Sequence, residues 1–258
     1  MATINKTQLG NSMDIYIIPD TQVRPDVDYS YLKSIAKHIA EVKPKYIIML
    51  GDWHDMKSLS IYDKGKKSHE IFNYFEDIES GNNADEFFWD WLKYFWPNYK
   101  KKTKRIKLYG NHEDRIKRAL EFGDSTVREM IKRYRIDNSR WSKVIPFLKV
   151  FKLAGINFSH YFPNDNSGKP ISTARQLLLK RHESCVAGHQ QGFDYAEQLS
   201  FGKRVIHAII GGSCYLHDES YKGPNNHHFR GTYILRNANR GMFDIERFSL
   251  VNLMAKYK

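Results

Sequence analysis

Five residues in this chain carry donor groups that suit a metal ion: Asp20, Asp52, Asn111, His160 and His189. Each falls at or just beyond the end of an apolar run of strand length, and in open α/β sheets binding sites form outside the carboxyl ends of strands. Five such ends can converge on one spot. A set of carboxylates, an amide and imidazoles suits a divalent cation such as Mn²⁺, Fe²⁺ or Zn²⁺. One carboxylate placed between two cations can bridge them, and a pair of metals about 3.5–4 Å apart can activate water and clamp phosphate oxygens.

The elements that must position these groups are legible from hydrophobic periodicity. Asp14–Pro19 reads as a buried strand leading to Asp20. Residues 30–42 set Leu32, Ile35, Ala36, Ile39 and Val42 on one helical face. Tyr46–Leu50 is the next strand, followed by Gly51-Asp52, so the unit is strand–helix–strand and its strands are expected to be parallel. Ile106–Tyr109 is a third strand, followed by Gly110-Asn111. Between the second and third strands lies a helical insertion at about 56–104, whose stretch Ala84–Trp96 is apolar over most of a helix surface and is expected in the core. The basic run Lys100–Lys107 is expected on a solvated face, with a DNA contact as the functional alternative. Later, Leu148–Leu153 and Ile156–His160 form a hairpin about Ala154-Gly155, Ser172–His182 a helix, and Ser184–Ala187 a strand that runs into Gly188-His189. Val205–Ile210, Gly231–Arg236 and Phe243–Leu250 are further strands. The expected fold class is α/β, two packed mixed sheets flanked by helices.

The blocks Asp20-Thr21-Gln22, Gly51-Asp52-Trp53-His54-Asp55, Gly110-Asn111-His112-Glu113, Ser159-His160 and Gly188-His189-Gln190-Gln191 resemble, in order, the motifs of the calcineurin-like metallophosphoesterases. Segments Ser58–Lys67 and Gly212–Arg230 also resemble uncharacterised phosphoesterases encoded by bacteriophages. The resemblance implies a single domain over 1–258 with a four-layer αββα sandwich, and two divalent metal ions, Mn²⁺ preferred over Mg²⁺, Fe²⁺ or Zn²⁺. It implies that Asp52 bridges the metals, that Asn111, His160 and His189 complete the second site, and that Asp20 anchors the first. His112 would face the scissile phosphate, stabilising charge or protonating the leaving oxygen, and Asp55 would orient it. Attack would come from a metal-activated water rather than a side chain.

Two positions depart from the family pattern, and both fall in the first metal site. Gln22 stands where D-x-H has its histidine, and Gln191 where G-H-x-H has its second. An amide oxygen can ligate a hard cation but is a poorer donor than imidazole to softer metals, so the first site should favour Mn²⁺ or Mg²⁺ and be weakly held.

Other residues carry two readings each. His54 either lines the site or is a loop histidine. His217, His227 and His228 sit in a loop rich in Gly, Pro and Asn, where they either reach phosphate or metal or face solvent. Arg24, Arg115 and Arg230 match phosphate geometry as guanidinium clamps but are equally ordinary surface residues.

The chain has 258 residues, 41% hydrophobic and 14% aromatic, which suits a packed domain and argues against a disordered chain. Its formal charge of +12 favours an anionic partner, nucleic acid foremost. No membrane-spanning run and no signal-peptide core is seen, and the two cysteines, Cys185 and Cys214, make no disulfide framework, so a cytoplasmic setting (the host's, for a phage protein) is expected. There is no Gly-rich phosphate loop of the nucleotide-kinase type and no serine nucleophile elbow. The leading expectation is a phosphodiesterase or nuclease acting on DNA or RNA, with Tyr62, Lys64, Lys66 and Lys67 of the insertion as a substrate wall. The alternatives are a phosphomonoesterase and a non-catalytic nucleic-acid-binding subunit.

Overall fold

Two-sided burial and parallel pairing build the first sheet. In the computed structural model, which describes residues 12–60, 73–200, 204–219 and 226–258, β1 (Met13–Ile18), β2 (Tyr46–Met49), β3 (Lys104–Leu108) and β4 (Lys143–Ile145) run parallel side by side. Helix α1 (Tyr31–Val42) makes the crossover between the first two. On the other side of β1 lies β10 (Gly231–Asn239), antiparallel, and then β11 (Met242–Ser249), giving the order β11-β10-β1-β2-β3-β4. The second sheet has the order β5-β6-β7-β9-β8, built from β5 (Phe151–Leu153), β6 (Ile156–Ser159), β7 (Ser184–Ala187), β8 (Phe193–Leu199) and β9 (Val205–Gly211). Its centre, β6-β7-β9, is parallel and its edges are antiparallel. The architecture is mixed α/β with two mixed sheets and, among the described residues, seven helices.

One hydrophobic cluster draws on both sheets. Ile15, Ile17, Ile48 and Ile106 of the first meet Phe158, Val186 and Ile209 of the second. The alternate residues of the first sheet, Tyr16, Ile18, Ile47 and Met49, pack with α1, with α2 (Tyr74–Phe95) and with the C-terminal α7 (Leu250–Lys256). The second sheet offers Cys185, Ala187, Ile206 and Ala208 to α6 (Ala174–Arg181). The alternation is what two-sided burial requires of a strand, and it leaves the strand ends as the place where polar side chains can gather.

Several expectations are adjusted. The apolar stretch Ala84–Trp96 is the second half of a longer helix, α2, which begins at Tyr74 because the Asn73 side chain accepts from Phe75 N and Glu76 and Asp77 stand in its first turn. The third strand starts two residues earlier than its apolar core suggested. Within the run Lys100–Lys107, Lys100, Lys101, Lys102 and Lys104 are exposed, but Lys107 is fully buried, facing Trp53 and Trp141 with its ammonium 5.8 Å from each ring. The solvated-face reading therefore fails for Lys107: its position in the strand, not its charge, decides its burial. The short α3 (Tyr99–Lys102), α4 (Asn111–Phe122), α5 (Ser125–Arg133), α7, β4 and β8 were not anticipated. Cys185 and Cys214 are both buried and free. No helix among the described residues is long and apolar enough to cross a membrane.

Candidate metal centre

The five donor residues lie on loops that leave neighbouring strands in the same direction. Asp20 follows β1, Asp52 follows β2, Asn111 opens α4 just after β3, His160 follows β6 and His189 follows β7. The loops are tied to one another. Thr21 N and Gln22 N donate to Asp52 O (3.2 and 2.8 Å), Cys214 N donates to Asp20 O (2.7 Å), and Gly188 N donates to His160 O (2.9 Å). Gln22, Asp52 and His189 all hold left-handed backbone, with φ of 45°, 54° and 66°. Non-glycine residues resist this conformation, and it persists where surrounding bonds over-determine it.

The glycine that precedes a donor has a steric reason. A side chain on Gly51, at φ 107°, would place its Cβ 2.6 Å from His160 Nδ1. One on Gly110 would run into the Asp52 carboxylate. Glu113 then locks the floor, since its buried carboxylate accepts from Asp52 N (3.0 Å), Gly110 N (2.8 Å) and His54 N (3.0 Å). Glu113 stands in the quoted Gly110–Glu113 block, yet its type alone pointed to no role.

Four donor groups meet at the centre. His160 Nε2 lies 2.9 Å from Asn111 Oδ1 and 3.3 Å from Asp52 Oδ2, and His189 Nδ1 lies 2.8 Å from Asn111 Oδ1. Ligand atoms of Asp52, His160 and His189 all fall within 4.8 Å of one another. The other nitrogen of His160, Nδ1, faces Leu50 O at 2.9 Å. A carbonyl only accepts, so Nδ1 carries a hydrogen, and Nε2 either donates its proton to Asn111 Oδ1 and Asp52 Oδ2 or, once deprotonated, turns a lone pair to a cation. The protonated His160 ring supplies positive charge to this cluster, and a divalent cation can take its place. Cis ligands of a cation with bonds of about 2.1 Å stand about 3.0 Å apart, so the observed separations fit the edge of a coordination shell.

Charge shifts tell the same story. Burial works against a charged His160, yet Asp52 and Asp20 push its pKa up to about 9. Burial also opposes a charged His189, and with the neighbouring His160 lowers it to about 4. Burial raises Asp20, with Asp52 adding to the rise and His160 opposing it. Asp52 is held well below the carboxylate range, against its burial, by His112 and His160.

Beside the centre stands His112. Its backbone N donates to Asp52 Oδ1 (3.0 Å), its Nε2 lies 3.7 Å from Asp52 Oδ2, and its Nδ1 lies 3.1 Å from Asp55 Oδ1. Against its burial, Asp52 and Asp55 raise its pKa. Arg24 links Asp55 (2.8 Å) to Glu219 (2.9 Å), and Glu219 also meets His217 at 2.9 Å. Glu219 had no sequence signal; it is 195 positions from Arg24 and sits in a polar loop.

The remaining candidates are placed as follows. Asp20 reaches the group through its carboxylate, which accepts from His189 N at 3.0 and 3.2 Å. Gln22 Oε1 accepts from Gln191 Nε2 at 3.4 Å, so the two glutamines meet each other. His54 is fully buried, its ring against Gly81 of α2, beneath the loop rather than on an open surface. Arg115 donates to Asp55 O and Met56 O (2.9 and 3.0 Å), and Arg230 to Leu216 O, Asp218 and Asn226 O, so both guanidiniums are engaged internally. His228 meets Ser213 Oγ at 2.8 Å, His217 stacks on Tyr215, and His227 is exposed. Tyr62, Lys64, Lys66 and Lys67 lie outside the described residues.

No protein-family model matches the chain, and no curated protein does. Among the solved structures that match, one aligns over 93% of this chain and 100% of its own length at 10% identity and a TM-score of 0.42, a likeness too loose to bear on fold or function.

Proposed function

We propose that the protein is a metal-dependent phosphoesterase, a phosphodiesterase or nuclease acting on DNA or RNA, built on a four-layer αββα sandwich. The observation that carries the reading is the convergence of ligand atoms from Asp52, Asn111, His160 and His189 at the spacing of a coordination shell, with His112 at its rim. These four residues would hold one divalent ion, and Asp20 with Gln22 and Gln191 would hold a second, more exchangeable one. Such ions, when bound, supply an activated water and polarise phosphate oxygens.

The chain's own residues do the rest. The Asp55 carboxylate stands 3.1 Å from His112 Nδ1, and that ion pair would hold the ring with Nε2 on the Asp52 side, where a leaving oxygen would need a proton. Arg24 holds Asp55 in place. A net charge of +12 supports a polyanionic substrate.

Incubation with Mn²⁺ and bis(p-nitrophenyl) phosphate, p-nitrophenyl phosphate and labelled single- and double-stranded DNA tests the reading. Diester and DNA cleavage is the expected result. Hydrolysis of the monoester alone would replace the nuclease reading by a phosphomonoesterase. DNA retention in a gel shift without turnover would replace it by the binding subunit, which the two glutamines favour.

A further inference from the structure

One strand beyond Asn111, the same sheet edge opens into a second cavity. Tyr109 follows β3, and Pro146 and Phe147 follow β4. Between them, α4 and α5 lies a cleft of about 470 Å³, within the range of small-molecule sites. Its walls are aromatic and aliphatic, with Tyr74, Tyr109 and Phe147 facing Ile116, Leu120 and Ile136.

The cleft adjoins the metal centre through rings. Phe147 packs on His160 and Tyr161 with centroids 6.2 and 5.4 Å apart, and Tyr161 packs on His189 at 5.0 Å. Its rim is cationic, with Lys117, Lys132 and Arg135. Of the two acids that also line it, Glu113 is committed to three backbone N–H groups, and Asp114 faces Arg118 at 4.0 Å. Lys132 is itself paired with Glu129 at 2.6 Å, which leaves Lys117 and Arg135 as the cations with charge to offer.

We infer that this cleft is a nucleobase subsite, which seats the base of a nucleotide whose phosphate lies at the metal centre; the inference rests on the phosphoesterase reading. Aromatic and aliphatic side chains in the lining suit stacking against a base, the cationic rim suits the flanking phosphates, and Phe147 joins the cleft to His160 of the metal centre.

The test is calorimetric binding in Mn²⁺ of thymidine 5′-monophosphate against 2-deoxyribose 5-phosphate, which keeps sugar and phosphate and lacks the base. The nucleotide should bind at least about tenfold more tightly, as base stacking on aromatic walls provides. Leu120→Trp, at a rim position 42% exposed and so tolerant of a larger side chain, should fill the cleft and erase that preference while leaving deoxyribose phosphate binding unchanged. Phe147→Ala serves as the second variant and should act in the same direction. Equal affinity for the two ligands in the wild type, no binding of the nucleotide, or a preference that survives both variants would overturn the subsite. Hydrolysis of bis(p-nitrophenyl) phosphate, which has no base, reports separately on the phosphoesterase reading.

Discussion

Binding of Mn²⁺ should expel a proton from His160, and the size of the effect follows from the site. In the metal-free protein the ring is held between Asp52 Oδ2 at 3.3 Å and Leu50 O at 2.9 Å, and its pKa rises to about 9. At pH 8 it therefore carries about 0.9 of a proton on average, and a cation that takes Nε2 must displace it. Calorimetric titration with Mn²⁺ in buffers of different ionisation enthalpy counts that proton directly. The same group shapes stability. Its folded pKa lies above the ordinary 6.5, so its contribution is complete below about pH 6.5 and lost as pH rises through about 9, and amounts to about 3 kcal/mol. Asp20 acts in the same direction at lower pH, because burial raises its pKa to about 7 and its contribution is lost between about pH 4 and 7. EDTA-treated protein should thus lose roughly 6–12 °C in Tm between pH 6.5 and 9.5, and saturating Mn²⁺ should remove that fall. Tight Mn²⁺ binding at pH 8 with no proton released would refute the assignment of His160 as the charged partner of Asp52.

Three further outcomes follow from the same geometry. His112→Ala should keep Mn²⁺ affinity, since its ring lies 3.7 Å from Asp52 and outside the donor cluster, but lower kcat on a diester by roughly 10²–10⁴-fold; steady-state kinetics with a parallel metal titration separates the two. Gln22→His combined with Gln191→His should raise zinc stoichiometry toward two per chain, read by elemental analysis after dialysis, because it restores imidazole donors beside Asp20. Glu113→Gln keeps the shape but sets an NH₂ against at least one of the N–H groups of Asp52, Gly110 and His54. It should cost about 2 kcal/mol, or roughly 4–8 °C in Tm by differential scanning calorimetry, and weaken Mn²⁺ binding as the Asp52 loop loosens.

The donor residues stood out in the sequence because each apolar run ends on a polar residue that a strand end would deliver to one place. Local pattern also located β7 to the residue and most of β1, β2 and β6. What escaped it had weak local contrast. The exposed edge strand β8 buries little of its Phe193–Leu199 stretch, and α4 opens on the polar run Asn111–Arg115 with a mostly polar composition. The link from Glu219 through Arg24 to Asp55 depends on chain distances of 195 and 31 positions, which no periodicity encodes.

The two glutamines show the limit most sharply. By type, each was expected to offer an oxygen to a cation beside Asp20. In the fold, Gln191 Nε2 reaches Gln22 Oε1 at 3.4 Å, across 169 positions of sequence. An amide carries both a donor and an acceptor, so one glutamine can donate to the other, as two neutral imidazoles bound to a metal do not. A cation taking the Gln22 oxygen competes for it with that bond, which at its length contributes no more than about 1 kcal/mol. The cost is small against the charge that Asp20 and Asp52 offer, yet a neutral amide returns less than imidazole would. Occupancy of the first site should therefore track free Mn²⁺ concentration, while the site formed by Asp52, Asn111, His160 and His189 fills first.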